Sequence, residues 1–454
     1  MSDLLQIGRS GVMAYQGALA AVGENVTNAD TAGFAKREIV LKEQKAAGGT
    51  AAIYRTSAAF GGVQATQVKR VWDQYRAANA WSSNADANAA STRAQYLTTV
   101  QSMLDDGDTG VGAKLTAVFT SATALAANPS DATLRQTILA NVANAAQALG
   151  QTASNLGKVA DTVRTQAQIT VGQSNDMLAQ LGKLNLALHA SPQGSPGRAQ
   201  LEDQRDSLLG SLSANFGLDV TFDADGAATL KLDGFNGPQL LASNNVVPSL
   251  LAMQSATDGR ITLSVVDGNK TSAATPTGGK MAGLVDVAGN IAGRRLQLDA
   301  IAVDFKTKLN GWNAAGKTAA GVAGVDLLNG TSAATLALAT SNPAAIAAAT
   351  VDALGVTTEN GNLLTVSKMR GDDGVEAQWR ALSTDQSLLV QSANTASSAA
   401  AARKDGAYSS LDEVSGIDLD AEAADLLRYQ QAYTASAKII QAARDTMQSI
   451  FDLF

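Results

Sequence analysis

The sequence of 454 residues contains no cysteine and a single histidine, His189. Without cysteine there can be no disulfide, no thiolate metal site and no cysteine nucleophile. One histidine excludes a metal site built from several imidazoles, and a Ser-His-Asp triad could use only His189. The motifs of nucleotide and cofactor binding are also missing, so we predict no catalytic residues, no metal site and no cofactor.

Aromatic residues make up only 4% of the chain, and prolines number 7. A deep pocket with aromatic walls is therefore not expected. Alanine is abundant throughout, which favours long helices that meet through small side chains. Helices of this kind serve structural purposes more readily than catalytic ones.

Charge and hydropathy exclude two further classes of protein. The 34 Lys+Arg against 41 Asp+Glu give a net charge of -7, which does not suit a protein that binds nucleic acid through its phosphates. No apolar run reaches the roughly 18 residues that a membrane-spanning helix needs, so we predict no membrane insertion. The first residues also lack the basic region and apolar run of a cleaved signal peptide.

A heptad pattern of apolar residues begins near the N-terminus and predicts a helix with one narrow apolar stripe. Its members are Leu5, Val12, Leu19 and Val26. Gly8, Tyr15 and Val22 occupy the companion positions three residues further on. Such a stripe indicates that the helix packs on a partner helix.

A more regular heptad pattern occupies the last part of the chain. Its members are Leu419, Leu426, Tyr433, Ile440, Met447 and Phe454. The two terminal stripes allow two interpretations. The helices could pair within one subunit, or they could pair and also use the outer half of each stripe to contact other subunits.

The middle of the chain predicts long helices over about 77–107 and from Leu134 to Leu188, with a helix start at 128–130. The second helix would be a rod of about 80 Å. It is supported by a heptad column, interrupted at Thr170, that consists of Val142, Leu149, Leu156, Val163, Met177 and Leu184. After residue 215 the apolar period changes to two, with strands at Leu218–Phe222, Ala228–Leu232 and Arg260–Val266. Helical character returns at about 280–313 and 375–407.

These elements predict a mainly α fold with a β-rich insert, in discontinuous domains. Residues 1–45 and 411–454 would form a terminal coiled-coil domain, and 216–278 a small outer β domain. Residues 46–215, 279–313 and 375–410 would form a long-helix bundle. The Gly- and Ala-rich segment 314–374 is assigned only as an insert or a reduced extra domain.

Three groups of carboxylates are candidates for metal binding or acid–base catalysis. Asp105, Asp106 and Asp108 lack the closing Glu of a calcium loop and are interpreted as a solvated helix end. The run Glu202–Asp206 is interpreted as ion pairs on an exposed helix face. A secreted hydrolase using Asp223 or Asp225 stays open as a remote alternative. His189 is interpreted as a cation stabilising a helix end.

A distinctive segment follows the N-terminal helix. It contains Asn25, Asn28, Thr31, Gly33 and Phe34. Asn and Thr side chains can bond to nearby backbone groups, and Gly33 suits a positive φ, so the segment predicts a tightly specified turn.

This segment, with Ser10-Gly11 before it and Lys36 after it, resembles the N-terminal signature of the axial proteins of the bacterial flagellum. Three further stretches resemble the hook-associated protein 1 family. They are the Asp-Gln-Arg-Asp run at 203–206, the helix that follows Gly278-Gly279, and the C-terminal run from Gly416 through Tyr429-Gln-Gln-Ala-Tyr433 to Lys438.

The resemblance implies a non-enzymatic adaptor at the junction of hook and filament, outside the cell, exported by the flagellar type III route without a cleaved signal. It implies contacts with the hook protein, hook-associated protein 3 and further copies of itself, and an export chaperone on the C-terminal helix. The subunit interface would comprise both heptad stripes and the turn residues Asn25, Asn28, Thr31, Gly33 and Phe34. The nearer alternative is another axial protein, hook or distal rod, which would lack the long helical middle.

Overall fold

A computed structural model of the chain describes residues 2–31, 33–44, 61–104, 107–232, 234, 236–245 and 247–452. Within them the fold is mainly α-helical with several small sheets, as predicted. The helices are α1 (Ser2–Thr27), α2 (Gln74–Met103), α3 (Val111–Ala127), α4 (Ala132–Ala190), α5 (Pro196–Asn215), α6 (Gly279–Ala315), α7 (Val375–Ser415) and α8 (Leu419–Phe451). The strands are β1 (Arg37–Glu43), β2 (Val63–Arg70), β3 (Leu218–Phe222), β4 (Ala228–Leu232), β5 (Gln239–Leu241), β6 (Leu250–Ser255), β7 (Ile261–Asp267), β8 (Lys270–Ala274), β9 (Leu328–Asn329), β10 (Ala337–Leu338), β11 (Thr350–Val351) and β12 (Thr357–Thr358).

The long helix α4 has 59 residues, which is about 88 Å at 1.5 Å per residue. The cap at its start is Asp131, whose carboxylate accepts the backbone N–H of Thr133 at 2.7 Å and of Leu134 at 3.1 Å. The predicted start at 128–130 was therefore a few residues early, because the carboxylate of Asp131 satisfies the first free N–H groups.

The predicted heptad columns of α4 form the centre of the core. Val142, Leu149, Leu156 and Val163 are 0% exposed. Helices α3, α5 and α6 pack against α4, while α2 packs against α5, α6 and α7. The result is a bundle in which one continuous apolar core runs beneath all these helices.

The predicted β insert consists of two antiparallel sheets of three strands each, β3-β4-β5 and β6-β7-β8. In β4, Ala228, Leu230 and Leu232 are fully buried and alternate with half-buried residues, which is the pattern of a strand with one face on the core. The turn at 223–226 and the strand Ala228–Leu232 agree with the sequence prediction.

Residues 317–370, which the sequence left unassigned, pack on the end of α6 and on α3 and α4 through short strands and 3-10 turns. Asparagine side chains hold this segment in place. Asn313 is 0% exposed, donates to the carbonyl of Ala345 at 3.0 Å and accepts the N–H of Ala347 at 2.8 Å. The buried apolar residues of this segment belong to the main core, so the segment packs as part of the bundle.

An antiparallel pair of strands, β1 and β2, lies beside α1 and was not predicted. The predicted boundary at residue 45 falls between these two paired strands. The terminal unit in the structure therefore includes β2, which the sequence had assigned to the bundle.

Candidate assembly interface

Helices α1 and α8 pack against each other in antiparallel directions. Near the start of α1, Gly8 lies against Ile440 and Ser436, whereas near its end Asn25 bonds to Glu422 at 3.0 Å. Between them the rings of Tyr15 and Tyr429 lie 6.4 Å apart. The terminal segments thus pair within one subunit, as both interpretations of the heptads require, and contacts of the outer half of each stripe with other subunits stay a prediction.

Small residues on α1 allow the two helices to approach closely. A Cβ on Gly8 would lie 2.6 Å from Cγ1 of Ile440, and one on Gly11 would lie 2.4 Å from Oγ of Ser436. Both distances are shorter than van der Waals contact. Ala14 and Ala18, each 1% exposed, continue the same surface.

The predicted N-terminal stripe lies on the flank of this contact, not at its centre. Leu5, Val12 and Leu19 are half-buried, and Val26 is 44% exposed. The centre is formed by the companion column and its small neighbours, because glycine and alanine permit closer packing than leucine does. The part of the stripe that remains accessible keeps its proposed role in subunit contacts.

The predicted C-terminal stripe lies on the face of α8 that turns toward α1. Leu426, Tyr433 and Ile440 are half-buried there, while Leu419 and Met447 are exposed. Phe454, the last predicted member, lies outside the described residues. The most buried positions of α8 are Glu422, Ser436 and Ala443, which the stripe did not include.

Many apolar side chains of the pair remain exposed, and we call them the outer apolar face. They are Leu4, Met13, Val26, Leu419, Leu427, Ile439, Met447, Ile450 and Phe451. With Gly8 opposite Ile440 and the same rise in both helices, the last turn of α8 extends beyond the first residues of α1. Phe451 in this turn is 70% exposed. Four of these side chains, Ile439, Met447, Ile450 and Phe451, lie close together in the last part of α8, and a concentration of exposed apolar side chains marks an interaction surface.

Asn25 joins three segments of the terminal unit. Its Nδ2 donates to the carbonyl of Arg37 and to Oε2 of Glu422, both at 3.0 Å, and its Oδ1 accepts the N–H of Arg37 at 2.9 Å. Glu422 also pairs with Nζ of Lys36 at 3.0 Å. Burial alone would lower the pKa of Lys36, but the hydrogen bond and charge of Glu422 outweigh it and raise that pKa.

The rest of the motif forms the predicted turn from α1 to β1. Asn28 donates from its side chain to the carbonyl of Glu24 at 2.9 Å, and its own carbonyl accepts the N–H of Thr31 at 2.9 Å. Gly33 has φ of 84° and lies against Ser207 of α5, while Phe34 stacks on the guanidinium of Arg37 at 4.7 Å. The turn residues therefore orient the terminal unit on the bundle.

Arg205 and Asp206 of the Asp-Gln-Arg-Asp run on α5 are buried and Asp203 is half-buried, so the assignment of this charged run to an exposed face was wrong. Arg70 of β2 pairs with Asp203 and Asp206, both at 2.8 Å, and Arg37 of β1 pairs with Asp203 at 2.9 Å. We call this set the arginine latch, since it fastens the β1–β2 pair to the bundle. Its partners are far apart in the chain, so helix spacing alone could not reveal it.

Burial and charge act in opposite directions within the arginine latch. Burial raises the pKa of the Asp203 carboxyl, and Arg70 and Arg37 offset only part of this effect. Burial alone would lower the pKa of Arg70, but the charges of Asp206 and Asp203 outweigh it and raise that pKa. Removing either arginine would therefore leave Asp203 with a single arginine partner.

The carboxylates of the hydrolase alternative lie in a structural turn. Oδ1 of Asp223 accepts the backbone N–H of Asp225 and of Ala227, each at 2.9 Å. Oδ2 of Asp225 lies 3.1 Å from Nδ1 of His189, and Nε2 of His189 lies 3.1 Å from the carbonyl oxygen of Ser243. His189 thus links the end of α4 to the β insert.

His189 is expected to titrate above its ordinary pKa of about 6.5. The hydrogen bond to Asp225 and the carbonyl of Ser243 favour the imidazolium and raise the pKa of His189. The stability from this pairing is fully present below about pH 6.5 and is lost as the pH rises through the higher folded value. Imidazole NMR signals of the single histidine report the midpoint, which Asp225→Asn should lower. An unchanged midpoint in that variant would contradict the pairing.

In the part of the chain that the structure describes, no cluster of His, Asp and Glu could hold a metal ion. Likewise, none of the described helices is both long and apolar enough to cross a bilayer. Of the first carboxylate cluster, Asp105 and Asp106 lie outside the described residues.

Residues 97–328 match the family model described as the flagellar hook-associated protein FlgK helical domain. Residues 409–453 match the C-terminal model of the flagellar basal body rod FlgEFG proteins.

Flagellar hook-associated protein 1 of Bacillus subtilis is 23% identical over 504 residues, covering 99% of this chain and 97% of its own length. The protein of the same name from Escherichia coli is 24% identical over 335 residues, which is 72% of this chain and 60% of that protein. The corresponding protein of Salmonella typhimurium is 25% identical over 269 residues, which is 59% of this chain and 47% of that protein.

Among solved structures, the flagellar hook junction protein FlgK from Burkholderia pseudomallei superimposes with a TM-score of 0.66 at 16% identity. The match covers 74% of this chain and 100% of that one, and shows that the two share a fold. Since the FlgK helical-domain match at 97–328 spans more than half of the 454 residues, this protein belongs to the FlgK family of flagellar hook-associated proteins.

Proposed function

We propose that this protein is a structural adaptor that joins the hook of the bacterial flagellum to its filament. The family is one of structural flagellar proteins, and the protein is not an enzyme. The observation that carries the proposal is the outer apolar face. It spans both terminal helices, and it is exposed within the single subunit.

Assembly would bury the outer apolar face against neighbouring copies. Phe451 is 70% exposed and Met13 is 61% exposed, so each adds a large apolar area to such a contact. At about 25 cal/mol per Å² of apolar surface buried, a few such side chains supply several kcal/mol per subunit. Contacts of this kind that do not close into a small ring build a helical layer.

The finer partners are those that the sequence resemblance implies. Hook protein would contact one end of this layer and hook-associated protein 3 the other. Export would follow the flagellar type III route without a cleaved signal, and an export chaperone would cover the exposed part of the C-terminal stripe until assembly. The flagellum is the location that the family implies.

Another axial protein is the nearer alternative. The match at 409–453 is to rod proteins, so the terminal helix alone does not separate the two functions. The helical-domain match at 97–328 does favour the junction protein, because it covers α3, α4, α5 and α6 of the long-helix bundle.

Deleting the gene in its source bacterium is expected to leave hooks without filaments and to release flagellin into the medium. Electron microscopy of cells and immunoblots of the medium measure both. Absence of hooks would place the protein in the rod or hook instead, and intact filaments would refute a role in the flagellar axis.

Complementation can then test the outer apolar face directly. The double variant Ile450→Asp/Phe451→Asp should fold as the wild type does but fail to restore filaments, because it removes exposed apolar area in the last turn of α8. As a control, Gln448→Asp/Ser449→Asp adds the same two charges to the same turn at polar positions. This control variant should restore filaments. Full restoration by the first variant would exclude this turn from the interface.

A further inference from the structure

A cavity of about 290 Å³ lies between the N-terminal end of α4 and the segment that follows α6. Its walls include Ser130, Arg135, Lys317, Thr318 and Glu359. It is separate from the α1–α8 pair and from the arginine latch. None of its residues is used by the proposed assembly function.

Arg135 at this cavity is a buried cation without a carboxylate partner. It is 9% exposed, its Nε donates to the carbonyl of Pro129 at 2.9 Å, and its Nη1 donates to the carbonyl of Ile346 at 2.7 Å. No carboxylate of the described residues lies within ion-pair distance of it, and burial lowers its pKa. The buried arginines Arg37 and Arg70, by contrast, each have carboxylate partners.

Two further donors line the same cavity. Thr318 is 9% exposed, and its Oγ1 is buried without a hydrogen-bond partner among the described residues. Lys317 is the neighbour of Thr318, and its backbone is held in place by the hydrogen bond from its N–H to the carbonyl of Ala349 at 2.7 Å. Glu359, exposed at the rim, is the one carboxylate among the described lining residues.

We propose that this cavity is an oxyanion-binding site, in which Arg135 and Lys317 supply positive charge and the hydroxyl of Thr318 donates a hydrogen bond. A buried guanidinium held only by neutral carbonyls is costly, and an anion entering the cavity compensates it. The bound group is a phosphate-like or carboxylate oxyanion. It comes either from a free anion or from an acidic side chain of a second copy of this chain.

Thermal unfolding of the full chain tests the site. In a chloride buffer of constant ionic strength, low concentrations of sodium phosphate should raise the unfolding midpoint along a saturating curve, because a specific site in the folded state fills. General exclusion of phosphate from the protein surface also stabilises but does not saturate. We expect Lys317→Gln and Thr318→Val each to raise the dissociation constant for phosphate about tenfold. Glu359→Gln should strengthen binding, because it removes the negative charge at the rim. Each constant comes from the phosphate dependence, so differences in starting stability do not obscure it.

Lys158→Gln is the matched control, since it removes the same charge at an exposed position elsewhere on α4. If it weakens binding as much as Lys317→Gln does, the effect is general screening and the site is refuted. No added stabilisation of the wild type by either phosphate or acetate also refutes it. An acetate effect equal to that of phosphate shows that a single carboxylate fills the site, which favours an acidic side chain of a second copy over a free phosphate. An effect of phosphate alone identifies a free phosphate-like anion.

Discussion

Replacing Arg70 by glutamine is expected to lower the free energy of unfolding by about 3 kcal/mol, the lower end of the usual cost of removing one partner from a buried ion pair, because Asp203 keeps Arg37 and Asp206 keeps Arg205. The side chain of Arg70 is 5% exposed, and its partners Asp203 and Asp206 are 12% and 8% exposed. Without the guanidinium, both carboxylates stay buried next to each other. Urea unfolding of the full chain measures the loss.

Arg93→Gln provides the comparison for the arginine latch. Arg93 pairs with Asp286 at 2.9 Å, but the two side chains are 44% and 54% exposed. Exposed pairs are worth about 0–1 kcal/mol, so this variant should unfold almost as the wild type does. Equal losses in the two variants would mean that Arg70 does not act through its buried carboxylates.

The double variant Gly8→Ala/Gly11→Ala is expected to separate α1 from α8. The added methyl groups would overlap Ile440 and Ser436, and overpacking of this kind costs about 1–3 kcal/mol. Limited proteolysis should cut the terminal helices sooner than in the wild type, while the bundle stays resistant. Cells that produce this variant should also form fewer filaments, because α1 and α8 no longer pair closely.

Gly17→Ala/Gly23→Ala is a matched control on the same helix. A Cβ at either position meets nothing within 4 Å. Alanine is the better helix former by about 1 kcal/mol per residue, so this control should slow cleavage. Equal cleavage of both double variants would show that close contact at Gly8 and Gly11 does not hold the pair together.

The sequence predicted the bundle well and the terminal contact only in part. In α4 the large apolar residues are the buried ones, so the columns through Val142 and Leu149 could be identified directly. In α1 the closest contact with α8 is made by Gly8, Gly11 and Ala18. A search for regularly spaced large apolar residues does not single out such small residues. A stripe of leucine and valine therefore pointed to the flank of the contact.

Contacts between distant segments were beyond what the sequence could predict. Arg70 and Asp206 are 136 residues apart, and nothing in the helical spacing of α5 connects them. The strands β1 and β2 were missed for a related reason, since β1 ends at Glu43 and β2 begins only at Val63, too far along the chain for a tight hairpin. The motif from Asn25 to Phe34 was recognised as a turn, but its link to Glu422 required the structure.

The hydrogen bonds of Asn25 have a consequence for the order in which the chain folds. One of its partners is Arg37, which is synthesised almost at once, but the other is Glu422, which follows 397 residues later. Contacts this distant in the chain form late, because a long loop must first close. The terminal unit therefore cannot be completed until α8 has been made. Throughout synthesis of the bundle, α1 remains without the helix that covers its small residues.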